Sequence, residues 1–331
     1  MTHVTQVDEP SGSVTARVPA KVNLQLSVGP LREDGYHDLV TVFHAVSLFD
    51  EVTVTRADRT SVVVTGEGGP AVPLGPANLA VRAAAALARA SGRRARGQGG
   101  AGVGGVRLEI RKRIPVAAGL AGGSADAAAA LVACNELWRT GLSTAQLAEI
   151  GARLGSDVPF SLAGGTAVGL GRGERLTTAL VSGSYQWVLA FGATGLPTPD
   201  VYAACDRLRA ARRTKDGQPV AVPEPRLSTE LMAALRSGDP AAVGPLLTND
   251  LQPAALSLQP LLRRALQAGR EHGALGAIVS GSGPTCAFLA RSAEAARELA
   301  VGITGAGVCR AVVHVSGPVP GASVVESGAL A

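Results

Sequence analysis

Three short stretches of this chain combine residue types that can handle a phosphate group. The first is IPVAAGLAGGSADAAAAL, residues 114–131. The small residues Gly119, Ala121, Gly122 and Gly123 let backbone N–H groups approach an anion closely. A helix opening at Ser124 would add unsatisfied N–H donors and the positive end of its dipole. No Lys-Ser/Thr pair follows the last glycine, so this is not a Walker A loop, and the G-x-G-x-x-G spacing of dinucleotide-binding folds is absent. Taken alone, the stretch is equally a flexible loop capped by Ser124. The second stretch is PAKVNLQL, residues 19–26. Its alternation places Lys21, Asn23 and Gln25 on one strand face and Val22, Leu24 and Leu26 on the other. A solvated sheet face is the plain alternative. The third, HGALGAIVSGSGPTCAFLA (272–290), joins two β-type runs through Gly281-Ser282-Gly283, which by itself is a turn.

Lysine usage adds weight to the second stretch. Of 31 basic residues only Lys21, Lys112 and Lys215 are lysines. In a chain that uses arginine wherever a positive charge will do, a retained lysine is informative, because a compact ammonium and a planar guanidinium suit different sites.

These stretches need elements to hold them. Strands are expected over Val14–Val28, Val40–Val54, Ser61–Thr65, Val106–Ile110, Trp187–Phe191, Ala274–Val279, Thr285–Ala290 and Ala311–Val315. Helices are expected over Asn78–Ala90 with Asn78 as N-cap, and over Ser124–Arg139. Another should run from the capping box Ser143–Gln146 to near Gly155. Further helices fall within Thr198–Arg212, around 229–236, 240–247 and 259–272, and over Ala293–Gly302, while 156–169 reads as irregular structure and strand. Residues 1–13 read as a disordered lead-in, 91–105 as a flexible Gly/Arg-rich surface insertion and the last 15 as a tail. Helices and strands mix without a regular βαβ repeat, so an α+β fold is expected.

Composition removes several classes. The chain has 331 residues, 46% hydrophobic and 17% charged, which excludes global disorder and leaves room for one large domain or two. No apolar run approaches the ~20 residues of a membrane-spanning helix, and the polar N-terminus does not resemble a secretory signal. Cys134, Cys205, Cys286 and Cys309 are far apart and form no CxxC pair, so reduced thiols in a cytoplasmic protein are expected. His44, His272 and His314 have no metal-ligand spacing, and Trp138 and Trp187 read as core. The net charge of +5 is localised: residues 82–113 carry nine basic residues against one acidic, so the rest of the chain is slightly acidic. That points to a phosphorylated small ligand or a solvated loop.

In this order the stretches resemble the signature motifs of the GHMP small-molecule kinases. With REDGYHDLVTVF (32–43) and LGSDVPF (154–160) added, the chain is most similar to the 4-diphosphocytidyl-2-C-methyl-D-erythritol kinase family over roughly residues 15–290. These are ATP-dependent kinases of the non-mevalonate isoprenoid route that phosphorylate the acceptor's 2-hydroxyl to give the 2-phosphate and ADP. The resemblance implies an S5-like N-terminal domain over 1–168, a ferredoxin-like C-terminal domain over 169–316, an active site in the cleft between them, and a tail over 317–331. It implies Asp157 as general base and Lys21 as its charged partner near the transferred phosphoryl group. ATP would be held by Asn78, Lys112, Pro115, Ala117, Ala118, Gly119, Leu120, Ala121, Gly122, Gly123 and Ser124, with Asn78 and Lys112 near the adenine. The cytidyl end would be held by Asn23, Tyr36, His37, Thr198 and Tyr202, the two tyrosines sandwiching the ring and His37 reading its edge. Mg²⁺ would arrive with ATP, Ser124 being the candidate protein contact.

The chain departs from the family pattern at Ala121, where a glycine is usual, and at Ala125, where a second serine is common. The partner is thus a small molecule, with no nucleic acid or membrane, and the protein a monomer or homodimer. Two other readings compete. One is a GHMP kinase with another acceptor, of homoserine or mevalonate type. The other is an S5-like nucleic-acid-binding module, against which stand the 3% aromatic content and a basic run without interleaved aromatics.

Overall fold

The computed structural model describes residues 12–92 and 105–325. The lead-in over 1–11, positions 93–104 of the Gly/Arg-rich segment and residues 326–331 lie outside them. In chain order the first half runs β1 (Val14–Leu31), β2 (His37–Arg56), β3 (Ser61–Gly66), α1 (Leu79–Ala90), β4 (Val106–Lys112), α2 (Gly122–Trp138), α3 (Thr144–Ala152), α4 (Val158–Ala163), β5 (Thr166–Gly171) and β6 (Arg175–Thr178). The second half runs β7 (Tyr185–Phe191), α5 (Thr198–Ala210), α6 (Thr229–Ser237), α7 (Pro240–Val243), β8 (Thr248–Asn249), α8 (Gln252–Leu258), α9 (Leu261–Glu271), β9 (Gly276–Val279), β10 (Cys286–Ala290), α10 (Ala293–Gly305), β11 (Ala311–Gly317) and β12 (Ser323–Val324).

Two sheets result. The larger is built on a long antiparallel β1–β2 hairpin, in the order β12-β1-β2-β4-β3, with the β5–β6 hairpin joining through β2 and β8 pairing with β1. The smaller is an antiparallel sheet β11-β7-β10-β9 backed by α9 and α10. Helices thus pack on two mainly antiparallel sheets, with β3–β4 and β1–β8 the parallel pairs, the α+β arrangement expected.

The centre of the first half is α2. Its alanines pack against β1, β2, α1 and α4, and it is buried around nearly its whole circumference. Small side chains allow this close approach, and a helix apolar all round is an interior helix. Trp138 and Trp187 are buried, as expected of core residues. Among the cysteines, Cys134, Cys205 and Cys286 are buried and Cys309 half-buried, all as free thiols.

Several boundaries differ from the sequence reading. The division expected at 168 falls inside β5, which pairs with β2 (Val42 opposite Val168). The β5–β6 hairpin therefore belongs to the first sheet, and the chain crosses to the second sheet between Thr178 and Tyr185. Residues 317–325 are not a loose tail. Gly165 donates its N–H to Val319 O, Val325 donates to Thr15 O, and β12 pairs with the edge of β1. A two-residue strand has too little pattern to be seen in sequence; what holds it is the open edge of β1. α4 was missed because six residues are too few to show a helical period. α8 was missed because Pro253 interrupts its pattern, although proline is tolerated in a first turn. The helix expected from Ser124 begins at Gly122 and ends at Trp138, and the one from Ser143 ends at Ala152.

Candidate functional site

The three phosphate-type stretches meet at one backbone carbonyl. Gly119 O accepts from Lys21 Nζ at 2.9 Å and from Ser280 Oγ at 3.2 Å, while Thr285 N donates to the neighbouring Ala118 O. Gly119 has φ +75°, and a Cβ built there would sit 2.1 Å from Ser280 O. Only glycine allows this crossing, on both counts. Asn249 Nδ2 clips the third stretch from below, donating to Val279 O and Gly281 O at 2.7 Å each.

The polar face of β1 is not solvated. Lys21, Asn23 and Gln25 are all buried, because the second half of the chain covers that face. Gln25 bonds Arg226 O and Ser228 N. Asn23 accepts from Lys21 Nζ at 2.6 Å through Oδ1 and donates to Thr41 Oγ1 at 2.8 Å. Of three ammonium hydrogens on Lys21, two are thus used on neutral acceptors, which leaves one donor for the cavity the residue lines. Burial pushes the Lys21 ammonium below its ordinary pKa, with the Asp157 charge pulling it partly back up.

That cavity has a volume of 1070 Å³ and lies where the two halves face each other. Small-molecule sites commonly occupy ~300–1,000 Å³, so there is room for two ligands side by side. Ala117–Gly119 and Ala121–Ser124 wall one end. There α2 starts without a side-chain cap: Ala121, at its N-cap, sits at φ 60° and ψ 29°. The first-turn amides of Gly122, Gly123 and Ser124 therefore carry their dipole end and free N–H groups to the cavity wall, a fit for phosphate oxygens. Ser124 does not cap the helix, as the loop reading would have it; it stands at the third helical position and lines the cavity. Leu120 is different. Its side chain is fully buried in the core, and only its carbonyl reaches Lys21 N.

Asp157 lines the same cavity from the start of α4. It occupies the N-cap position yet makes no side-chain cap bond, so its half-buried carboxylate is available to a ligand. It does not pair directly with Lys21, whose partners are Asn23 and Gly119; the two charges act on each other across the cavity wall.

The other end is aromatic. Tyr202 on α5 stacks on His37, ring centroids 5.4 Å apart. His37 is buried, its Nδ1 on Gly29 O at 2.9 Å and its Nε2 3.3 Å from Asp206. Both ring nitrogens are thus engaged within the protein, and the ring lies against Tyr202 rather than pointing a free nitrogen into the cavity. Burial, with Asp157 second, pushes the Tyr202 hydroxyl above its ordinary pKa, so it stays a neutral phenol. Tyr36 is exposed on the rim with the Arg172 guanidinium 5.2 Å over its ring. Thr198, at the start of α5, shares a 3.0 Å hydrogen bond with Ser282 of the third stretch. Asp206 and Arg172 line this end too. Sequence reasoning missed both, and nothing local distinguishes them from surface charges.

Asn78, Lys112 and Pro115 lie apart, on a smaller adjoining cavity of 210 Å³ that shares Leu79, Ala117, Gly122 and Gly123 with the large one. Asn78 caps α1 as expected, accepting from Ala80 N and Val81 N, and donates to Pro73 O. Lys112 is held between Asp50 (2.6 Å) and Asp126 (2.8 Å). Among the described residues, no three His, Cys, Asp or Glu side chains come together as a metal site.

Residues 78–165 match the GHMP kinases N terminal domain model and 231–308 the GHMP kinases C terminal model. The 4-diphosphocytidyl-2-C-methyl-D-erythritol kinase of Mycolicibacterium smegmatis is 57% identical over 96% of this chain and 94% of its own. The chain belongs to that kinase family. The Mycobacterium tuberculosis enzyme of the same name is 54% identical over 96% of this chain and 95% of its own. Among solved structures, a 4-(cytidine 5'-diphospho)-2C-methyl-D-erythritol kinase superposes with TM-score 0.69 at 34% identity, covering 91% of this chain and 98% of the other. A homoserine kinase from Cytophaga hutchinsonii gives the same TM-score at 19% identity over 98% of this chain and 100% of the other, which shows the shared GHMP fold alone. The kinase family accordingly makes this chain a phosphotransferase, and no helix of its described residues is long and apolar enough to cross a membrane.

Proposed function

We propose that the protein transfers the γ-phosphoryl group of ATP to the 2-hydroxyl of 4-diphosphocytidyl-2-C-methyl-D-erythritol, giving the 2-phosphate and ADP. One observation carries the reading. A single cavity joins an uncapped helix start, a buried lysine with a spare donor and a free carboxylate at one end to an aromatic stack at the other.

Phosphoryl transfer runs through a loose transition state, so catalysis is chiefly positioning and charge stabilisation. The amides of Gly122, Gly123 and Ser124 hold the ATP phosphates, with Ala117–Gly119 and Ala121 shaping the loop that approaches them. The base of ATP enters the small cavity beside Asn78, Lys112 and Pro115. The pyrimidine lies in the aromatic end against Tyr202, with Tyr36 on the rim, and Asn23 and Thr198 frame the acceptor. The acceptor hydroxyl attacks the γ-phosphorus as its proton passes to Asp157. The new O–P bond forms as the bond to the β-phosphate oxygen breaks, and ADP leaves. Lys21 places positive charge beside the transferred group. Its burial among neutral acceptors strengthens that interaction, since a charge in a low-dielectric site acts further than in water. Mg²⁺ fits here as an ion delivered on the nucleotide, with the Ser124 hydroxyl the one protein oxygen of the helix start available to it. Bound there, it would neutralise charge on the β- and γ-phosphates.

The test is ADP formation with the cytidyl acceptor, homoserine and mevalonate offered separately. The reading expects turnover with the cytidyl acceptor alone. Equal turnover with either other alcohol would contradict the acceptor assignment.

A further inference from the structure

The chain does not stop where the second sheet stops. After β11, residues 318–325 return to the first sheet as a strap that crosses α4, the short helix whose N-cap is Asp157. The crossing is close. Ala322 N donates to Ser161 O at 2.9 Å, and Gly165 N donates to Val319 O at 2.8 Å. A Cβ built on Gly321 would lie 2.2 Å from Leu162 O, and one on Gly164 would lie 2.0 Å from Gly321 N. No side chain fits at such distances, so backbone passes over backbone there because both residues are glycine. Beside the crossing, Val319 packs into the cluster built on Phe43 and Phe160, whose rings stack with centroids 4.9 Å apart.

Protection of a sheet edge does not account for this path. The pairing of β12 with β1 uses Ser323 and Val324, beyond the crossing. What lies under residues 319–322 is α4, and α4 needs outside support. A helix of six residues is too short to hold its own shape in water. Its last carbonyls run out of partners within the helix, and Ser161 O finds one in the strap. Ser161 carries that constraint to the other end of α4: its amide and its hydroxyl both donate to Asp157 O, at 3.0 and 3.1 Å. The start of α4 is pressed against α3, where a Cβ on Gly151 would lie 2.7 Å from Val158 Cγ1. The Asp157 carboxylate makes no cap bond of its own, so its place on the cavity wall is set by the backbone that carries it.

We propose that residues 318–325 are a positioning element for phosphoryl transfer: by clamping the end of α4 through Val319, Gly321 and Ala322, they hold Asp157 in line with the reacting hydroxyl. The proposal rests on Asp157 acting as the general base. None of these strap residues lines either cavity, so their effect falls on the chemical step and not on binding. A misplacement of about 1 Å at a reacting group, caused from a distance, can cost ~10²-fold in rate.

Gly321→Ala forces the strap and α4 apart. In single turnover with ATP and the cytidyl acceptor saturating, where product release does not mask the chemistry, the rate should fall by ~10- to 100-fold. The KM of each substrate should stay at the parent value. The decisive comparison is the same substitution in Asp157→Asn. A strap that acts through Asp157 costs nothing further there, whereas a general structural role slows both backgrounds by the same factor. An unchanged rate in a folded Gly321→Ala protein, equal losses in the two backgrounds, or KM values that rise together would each overturn the proposal. Should Gly321→Ala fail to fold, as judged by circular dichroism, Val319→Ala carries the same test, because it trims the packing on Phe160 without adding an atom. Its rate should fall by ~3-fold or more in the parent background and not at all in Asp157→Asn; an unchanged parent rate would again overturn the proposal. Asp157→Asn alone separates the strap from the reading beneath it. If that substitution leaves the parent rate intact, the base assignment falls and the strap's role with it. If it slows the reaction while Gly321→Ala does not, the strap assignment alone falls.

Discussion

Lys21 and Lys112 are both buried, both near the start of α2, and held in opposite ways. Lys21 faces neutral acceptors, Asn23 Oδ1 and Gly119 O, and burial drives its pKa down. Lys112 sits between two carboxylates, whose charges outweigh the same desolvation and drive its pKa up. The first arrangement leaves a cation under-compensated on a cavity wall, where a phosphate can complete it. The second surrounds its cation with opposite charge and ties β2, β4 and α2 together at the root of the glycine-rich loop. The poorly compensated lysine is the one proposed to work on a ligand, and the well compensated one ties the fold together.

The comparison can be broken most sharply at Lys112. Lys112→Met leaves Asp50 and Asp126 buried without their cation, and removing one partner of a buried pair costs ~3–5 kcal/mol. Denaturant unfolding should show that loss; an unchanged midpoint would make the clamp dispensable. Lys21→Met should act in the opposite sense on stability. It removes an under-compensated buried charge, so Tm should rise by about 2–4 °C while kcat falls by ~10²–10³, the scale of a lost electrostatic contact in a transition state. A lowered Tm would erase the contrast.

The two lysines should also differ in pH dependence. With its folded pKa depressed, the Lys21 penalty is complete below that value and fades as pH rises towards the unfolded 10.5. The Tm advantage of Lys21→Met should therefore shrink on the alkaline side. With its folded pKa raised, the Lys112 contribution is complete below 10.5 and is lost only as pH climbs through the folded value. Matched thermal scans of each variant against the parent cancel the titrations that the substitution leaves untouched.

Tyr202→Ala sharpens the other end of the cavity. Removing the ring that stacks on His37 should raise KM for the cytidyl acceptor by ~10- to 100-fold, the scale of base–aromatic stacking, with KM for ATP unchanged. A rise in both would mean a general collapse of the cleft. The smallest effect belongs to Ala121, which holds a left-handed conformation without being glycine. Ala121→Gly should stabilise the protein by about 0.5–1 kcal/mol, strain relief being partly offset by a looser unfolded chain.

What was legible in the sequence was whatever is local. The glycine-rich loop, the Asn78 cap, the Ser143–Gln146 capping box and the alternation around Lys21 are each complete within a few residues. The partners those residues find across the fold were not legible. Asp50 meets Lys112 across 62 positions and Gln25 meets Ser228 across 203, and before folding each is an ordinary polar residue. A solvated face remained open as the alternative for β1 for the same reason, since its cover comes from the far half of the chain. His37 lines the cavity, and only the fold shows that both its nitrogens are engaged there with Gly29 and Asp206.

The most direct test of the whole account is single-turnover ADP formation by Asp157→Asn with ATP and the cytidyl acceptor both saturating. The account predicts a rate reduced by ~10²–10⁴ with ATP affinity retained, the loss expected when a general base is removed from an otherwise intact site. An Asp157→Asn protein that turns over at the parent rate would contradict it.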